Sequence, residues 1–347
     1  MSTQMSLTQL GWQAFFQLQL NLEELQQNTI ARVIAHHRSE YVLRSEYGFD
    51  HLAITPSLPH LTVGDWLLLD EEKQFVRMLE RKSLFSRKAA GAKLAEQLIV
   101  ANVDTVLIVC SLNHDFNLSR IERYLTLVHE AGAEPVVVLT KLDLCDDAQR
   151  KFDALQALDP LLQIEMVNGL DATSCANLLS LCKAGKTISL LGSSGVGKST
   201  LLNTLMGNEV QKTSGIREDD SKGRHTTTAR SMHFMPNGAV LIDTPGMREL
   251  QLADCEQGIR QAFADIDALA EQCRFADCLH FSEPNCAVLK AIDDGLLDLR
   301  RLHNYHKLLR EQAHNASSLQ QIRAKDKQFG RMVKNVVKDS RLFKRGY

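Results

Sequence analysis

The chain lacks any apolar run long enough to cross a bilayer, which excludes a helical membrane span. Its first residues, MSTQMSLTQLGWQAFFQLQL, have no basic start and no apolar core, so they do not read as a secretory signal. A cytoplasmic protein is expected. Net charge is nearly absent, at −2, so the total gives no pointer to nucleic acid. There is no internal repeat and no low-complexity tract. Disulfides are not expected either, although the sequence has eight cysteines. Without a secretory signal these read as reduced core thiols, metal ligands, or both.

What is present is ordinary globular composition over a length sufficient for two or three domains: 347 residues, 44% hydrophobic and 24% charged. The charge is unevenly placed. From Arg323 onward, Lys325, Lys327, Arg331, Lys334, Lys338, Arg341, Lys344 and Arg345 far outnumber Asp326 and Asp339. This tail reads either as a solvated helix or disordered end, or as a polyanion contact.

The pattern divides the chain into four parts. Residues 1–28 form a polar segment rich in Gln and Leu, with room for one helix. Residues 29–85 carry short strand signals (TIARVIAH, EYVLRSE, HLAITP, GDWLLLD, QFVRMLERK) separated by turn residues, as in a small β-barrel. SRKAAGAKLAEQ then reads as a linker. Across 86–255, apolar strands alternate with helical patterns (DTVLIVCSL, PVVVLTKLD, QIEMV, KTISLLG), which indicates βαβ units and a mostly parallel sheet. Residues 256–347 read as helical, with a Cys/His cluster and the basic tail. The expected class is therefore multidomain: barrel, central α/β domain, helical metal module.

Gly192-Ser193-Ser194-Gly195-Val196-Gly197-Lys198-Ser199, followed by Thr200, fits G-x-x-x-x-G-K-[ST] between an apolar strand and an amphipathic helix. Glycines let backbone N–H groups turn toward phosphates, and the helix N-terminus favours their charge. Lys198 is expected to reach the β- and γ-phosphates and Ser199 to ligate Mg²⁺. Asp243-Thr244-Pro245-Gly246 ends another apolar strand. There Asp243 would hold Mg²⁺ through water and Gly246 would offer its N–H to the γ-phosphate. Between them lies GIREDDSKGRHTTTAR, a long polar loop. Of its hydroxyls, Thr227 is the first choice for a Mg²⁺ ligand.

Thr140-Lys141-Leu142-Asp143 follows the apolar run 136–138. A carboxylate at Asp143 can accept from guanine N1–H and the exocyclic amine. Adenine has neither donor, and sites built this way reject the wrong partner by about 10⁴-fold or more. The stem of Lys141 can lie over the base. GTP is therefore expected rather than ATP. The motif order is unusual, because the base-reading loop precedes the phosphate loop. Joining the ends of an ordinary GTPase domain and cutting it before its base-reading half produces this order, so a circularly permuted GTPase is expected.

Cys273, Cys278, His280 and Cys286 stand in C-x4-C-x-H-x5-C spacing. Three thiolates and an imidazole make a closed tetrahedral Zn²⁺ site with no open position, so a structural zinc is expected. Cys110, Cys145, Cys175, Cys182 and Cys255 read as core.

Together, GDW in the barrel, ANVD at 101–104, GSSGVGKSTL, GRHTTT, DTPG and the Cys/His spacing resemble the ribosome small-subunit-dependent GTPase A family, RsgA or YjeQ. The resemblance runs from about 29 to 329. It implies an oligonucleotide-binding barrel, a permuted GTPase domain cycling between GTP and GDP, and a zinc module. It also implies a role late in 30S ribosomal subunit maturation, near the decoding region of 16S rRNA, as a monomer without a membrane. GTP would favour binding to the subunit, and hydrolysis there would favour release. Three positions depart from the family pattern. Thr140 replaces the usual Asn, VNGLD lacks the usual Ser-Ala pair around Asn168 and Gly169, and RSEYGFDHLAI is less basic than the matching barrel region. Met247 stands where many GTPases carry a water-orienting Gln, so slow hydrolysis is expected alone. A positioning partner would then supply up to about 10⁵-fold. By resemblance, His225 is the candidate catalytic histidine. The competing readings are an RNA-binding scaffold with a structural nucleotide site, and a P-loop ATPase, against which Asp143 argues.

Overall fold

The computed structural model describes residues 5–88, 96–113, 115–207, 231–243, 252 and 255–316. Five strands come first: β1 (Thr29–His36), β2 (Glu40–Ser45), β3 (Gly48–Ala53), β4 (Trp66–Leu69) and β5 (Phe75–Met78). They form an antiparallel sheet in the order β3-β2-β1-β4-β5, with the five strands expected of an oligonucleotide-binding fold. Alternation sends Ala31, Val33, Tyr41, Leu43, Leu67 and Leu69 to one core. The other face of β4 is also covered, which is why WLLL has no polar position. Trp66 and Leu68 pack under Leu10, Trp12 and Phe16 of the N-terminal segment.

That segment is a 3₁₀ turn and two short helices, α1 (Ala14–Gln17) and α2 (Leu22–Gln27), rather than one helix. Gly11 ends the turn at φ +91°, and Asn21 caps α2 in a reciprocal box with Glu24. The expected linker is corrected as well. Its ends are strands, β6 (Leu84–Lys88) and β7 (Glu96–Ala101), paired antiparallel. Burial of Phe85, Ile99 and Val100 holds this hairpin, whereas its Ala-rich middle, 89–95, falls outside the described residues.

The central sheet contains β8 (Thr105–Ser111), β9 (Glu134–Thr140), β10 (Gln163–Met166), β11 (Thr187–Leu191), β12 (Ser231–Phe234) and β13 (Val240–Asp243). Its order is β10-β9-β8-β11-β13-β12, parallel except for β12. Helices α3 (Leu118–Glu130), α4 (Ala148–Gln156), α5 (Ala176–Leu181) and α6 (Lys198–Met206) connect the strands. Because β9, β11 and β13 are parallel, the loops after all three emerge on one edge.

Four more helices follow: α7 (Glu256–Ala262), α8 (Ala264–Ala270), α9 (Ala287–Asp293) and α10 (Leu299–Ala316). They share one apolar cluster with α3 and the sheet. A buried charge network pins α10 to α3. Glu122, fully buried, accepts from Arg300 and Arg301 at 3.0 Å and from Asn304, while Arg301 also reaches Asp265 at 2.6 Å.

The motifs GDW and ANVD join the barrel to the central sheet. Asp104 accepts from Thr187 N–H at 2.8 Å, Gln13 at 2.7 Å and Lys82 at 2.6 Å. Arg32, fully buried, donates to the carbonyls of Leu10 (2.5 Å), Asn102 (3.2 Å) and Gly64 (3.3 Å) and lies 5.2 Å from the Trp66 ring. Burial pushes its guanidinium down to about 10, against the opposing pull of Asp104 and Asp65.

Candidate nucleotide-binding site and metal centre

The phosphate loop spans the end of β11 and the start of α6. Gly192, Gly195 and Gly197 have φ of +154°, +76° and +98°. A Cβ on Gly192 would lie 2.2 Å from the Val109 carbonyl oxygen, so only glycine fits there, whereas Gly195 has nothing within 4 Å. Lys198 opens α6 and folds back over the loop, its ammonium donating to the Gly192 carbonyl at 2.7 Å and to the Ser193 carbonyl. Ser199 and Thr200 occupy the first turn of α6, and Val196 is buried.

The base-reading loop sits against this one. Thr140, the buried last residue of β9, donates its hydroxyl to the Val196 carbonyl at 2.6 Å. Lys141, at φ +61°, donates to the Gly195 carbonyl at 3.0 Å. Leu142 and Asp143 lie in a 3₁₀ turn, with Leu142 N–H donating to the Val167 carbonyl at 3.3 Å. Asp143 is exposed and forms no hydrogen bond or ion pair among the described residues. The loop after β10 also reaches α6. The Thr204 hydroxyl donates to the Gly169 carbonyl at 2.6 Å, and the Asn168 side chain is spent capping Leu170 N–H at 3.0 Å.

Asp243 ends β13, which pairs with β11 through Ser189↔Ile242, so its backbone lies beside the end of the strand that leads into the phosphate loop. Across the ladder, burial pushes the His233 imidazole down against the opposing pull of Asp243. Gly246, His225 and Thr227 lie outside the described residues.

The structure thus brings Thr140, Lys141 and Asp143 together with residues 192–200 and Asp243. Inward-facing glycines, a lysine at a helix start and a free carboxylate on the neighbouring loop suit a guanine nucleotide with Mg²⁺. The sequence reading missed the ties that join the two loops, because the acceptors are main-chain carbonyls. It also missed Asp104 as an interdomain anchor, for which ANVD was the available signal.

The second cluster is equally compact. The ligand atoms of Cys273, Cys278, His280 and Cys286 all lie within 4.8 Å of one another. Cys273 and Cys286 Sγ are 3.8 Å apart, and His280 Nδ1 is 3.7 and 3.4 Å from them. A tetrahedron with arms of 2.3 Å has edges of about 3.8 Å, so the donor set fits Zn²⁺. His280 is held at φ +60°, and burial pushes its imidazole down, toward the neutral ligating form. The other cysteines are buried, with Cys110 and Cys182 pushed up to about 12 by burial. Cys145 is the exception. Half-buried beside the base-reading loop, it contacts Asp147 at 3.1 Å and Lys151 at 3.4 Å.

A six-stranded sheet in this order, with its phosphate loop on the fourth strand in the chain, defines a circularly permuted P-loop GTPase. The chain belongs to the RsgA GTPase family, whose sequence model matches residues 78–253. It is 61% identical to "Small ribosomal subunit biogenesis GTPase RsgA 2" of Vibrio parahaemolyticus, over 100% of this chain and 97% of that one. It is 48% identical to "Small ribosomal subunit biogenesis GTPase RsgA" of Xanthomonas oryzae, over 83% and 82% of the two chains. The crystal structure of YjeQ from Thermotoga maritima superposes with a TM-score of 0.61 at 25% identity, covering 82% of this chain and 98% of that one.

Proposed function

We propose that this GTPase binds the 30S ribosomal subunit, contacts 16S rRNA near the decoding region and assists late maturation of the subunit. Hydrolysis stimulated by the subunit drives release. The reading rests on one observation above others: the base-reading and phosphate loops are hydrogen-bonded together, Thr140 to Val196 at 2.6 Å, across a permuted chain. Relatives that carry the ribosomal name over the whole length support the partner.

In this reading residues 192–200 cradle the phosphates, with Lys198 on the β- and γ-phosphates. Asp143 reads guanine, and Thr140, Lys141 and Leu142 fix that loop. Ser199, Thr227 and Asp243 hold Mg²⁺, Gly246 senses the γ-phosphate, and His225 assists hydrolysis. Cys273, Cys278, His280 and Cys286 hold one Zn²⁺. The working units are 1–28, a barrel over 29–85, the GTPase domain over 86–255 and the zinc module with its basic tail over 256–347. The protein acts as a monomer in the cytoplasm.

The test is GTP turnover titrated with purified 30S subunits. Slow turnover alone and stimulation of several orders of magnitude are expected. A scaffold with a structural nucleotide gives none in either case. Asp143→Asn tests the base assignment, because it places an amide donor where a carboxylate accepted from the guanine amine. GTP affinity should fall by at least 100-fold, roughly the cost of a mismatched buried polar group. XTP, whose base has a carbonyl at that position, should bind the variant better than GTP does. Unchanged GTP preference would remove Asp143 from the site.

A further inference from the structure

Helix α10 has one face committed to the core through Arg301, Leu302, Asn304 and Leu308, all buried. The opposite face carries His303, Lys307, Arg310 and His314, all exposed. Spacings of four, three and four residues put these side chains in a single stripe. At 1.5 Å per residue the stripe runs about 16 Å. None of the four is paired with a carboxylate among the described residues. By contrast, Arg300, Arg301 and the neighbouring Arg123 are all engaged in ion pairs. Lys307 and Arg310, flanked by the two histidines, are therefore segregated from the cations engaged in ion pairs.

An aromatic ring adjoins the stripe. Phe281, in the metal-ligand loop, stacks on His306 with ring centroids 4.3 Å apart and an interplanar angle of 25°. His306 is itself fixed by a 2.9 Å hydrogen bond to the Leu279 carbonyl. Phe281 stays 64% exposed despite this stacking. The one acid in that loop turn, Glu283, is engaged by the N–H groups of Leu279, Phe281 and Ser282. Two cations without a carboxylate partner, Lys307 and Arg310, between two exposed histidines and beside a supported, exposed ring make a combination that tracks a phosphate backbone and stacks a base.

We propose that the outer face of α10, with Phe281 at its edge, is an RNA-contact surface that grips the sugar-phosphate backbone and stacks one unpaired base. This names the surface through which the zinc module meets RNA, and it rests on the ribosomal reading above. Charge complementarity favours RNA over a protein partner, because the stripe carries Lys307 and Arg310, two polar imidazoles and no acid.

The experiment measures binding of the full chain to purified 30S subunits and, in parallel, to a free 16S rRNA fragment, across a salt series. For the Lys307→Gln/Arg310→Gln variant, affinity for both probes should fall about ten-fold. The slope of log affinity against log salt should shrink by about 1.5, from two lost phosphate contacts. Lys307→Arg/Arg310→Lys should restore both. Phe281→Ala should weaken binding about ten-fold with the slope unchanged, as expected when a stacked base is lost. Unstimulated GTP turnover should stay at the wild-type level in all variants, because these positions lie outside the nucleotide site. Wild-type affinity and slope in the Gln variant would overturn the proposal, as would lost 30S affinity with an unchanged slope, the signature of a protein contact. A wild-type chain that binds the RNA fragment but not the subunit would overturn the ribosomal reading and leave this surface to be judged on the fragment. Binding to neither probe would overturn both.

Discussion

Thr140 stands where a longer amide side chain would reach across to the phosphate loop, and its hydroxyl makes that reach directly at 2.6 Å. The bond is buried, so its loss leaves the Val196 carbonyl without a donor. That costs about 1–2 kcal/mol. Thr140→Val keeps the shape and removes the hydroxyl. It should weaken GTP about ten-fold in a fluorescent-nucleotide titration, with Thr140→Ser close to wild type. Equal affinity for Val and Thr would mean the tie does not hold the loop in its binding form. A different residue-level tie governs the N-terminal segment. Glu24 is held down to about 2, chiefly by its hydrogen bond to Arg77 at 2.6 Å. A carboxyl whose folded value is depressed below the ordinary 4.5 contributes its full effect above that value and loses it as pH falls toward 2. The α2 amides should therefore keep their protection from pH 7 to about 4.5 and lose it below, while Glu24→Gln shows the low-pH behaviour at neutral pH. Residue roles were legible in the sequence where spacing itself is the chemistry, as in 192–200 and 273–286. Thr140 was named from its motif, yet its acceptor is a main-chain atom 56 residues away that no side-chain pattern encodes.

At the scale of elements, α7 packs closely against α3. Gly258 lies in α7, and a Cβ there would sit 2.2 Å from the Thr126 carbonyl oxygen and 2.9 Å from Glu130 Cβ. Its N–H donates to Glu130 at 2.7 Å. In an isolated helix, Gly→Ala stabilises by about 1 kcal/mol. Here the obstacle is backbone, which cannot swing aside, so steric cost outweighs propensity. Gly258→Ala should lower stability by about 1–3 kcal/mol in urea unfolding. A raised midpoint would show that the two helices can separate freely. Elements were legible where burial is two-sided, since 106–110 and 136–139 read as unbroken apolar strands and 187–191 as a mainly apolar one. The β6–β7 hairpin was not legible. Its strands straddle an Ala-rich stretch with no strand-forming residues, and what makes them pair is burial of Phe85, Ile99 and Val100. The N-terminal helices failed differently: Gly11 and the Asn21 cap break a pattern that composition alone reads as continuous.

For the whole molecule the question is how far the metal centre's stability extends. Zinc binding can contribute on the order of 10 kcal/mol to a small module that has no other core. This module does have another. Phe263, Ile266, Val288 and Leu302 share one apolar cluster with Ile121 and Tyr124 of α3, and Glu122 binds Arg300 and Arg301 independently of the four ligands. The segment between α8 and α9 contains no regular element and holds all four candidate ligands, the last of which, Cys286, caps α9. Removing the ion should therefore melt 271–287 and spare α3 and α10. Chelation should release about one zinc per chain and accelerate amide exchange across 271–287. Protection of 118–130 and 299–313 should change little, because opening energies follow local contacts rather than distance along the chain. Cys278→Ser should reproduce the pattern without chelator. Collapse of protection through α10 would make the metal the keystone of the entire C-terminal half, and unchanged exchange at 271–287 would show that the four donors hold their geometry without an ion.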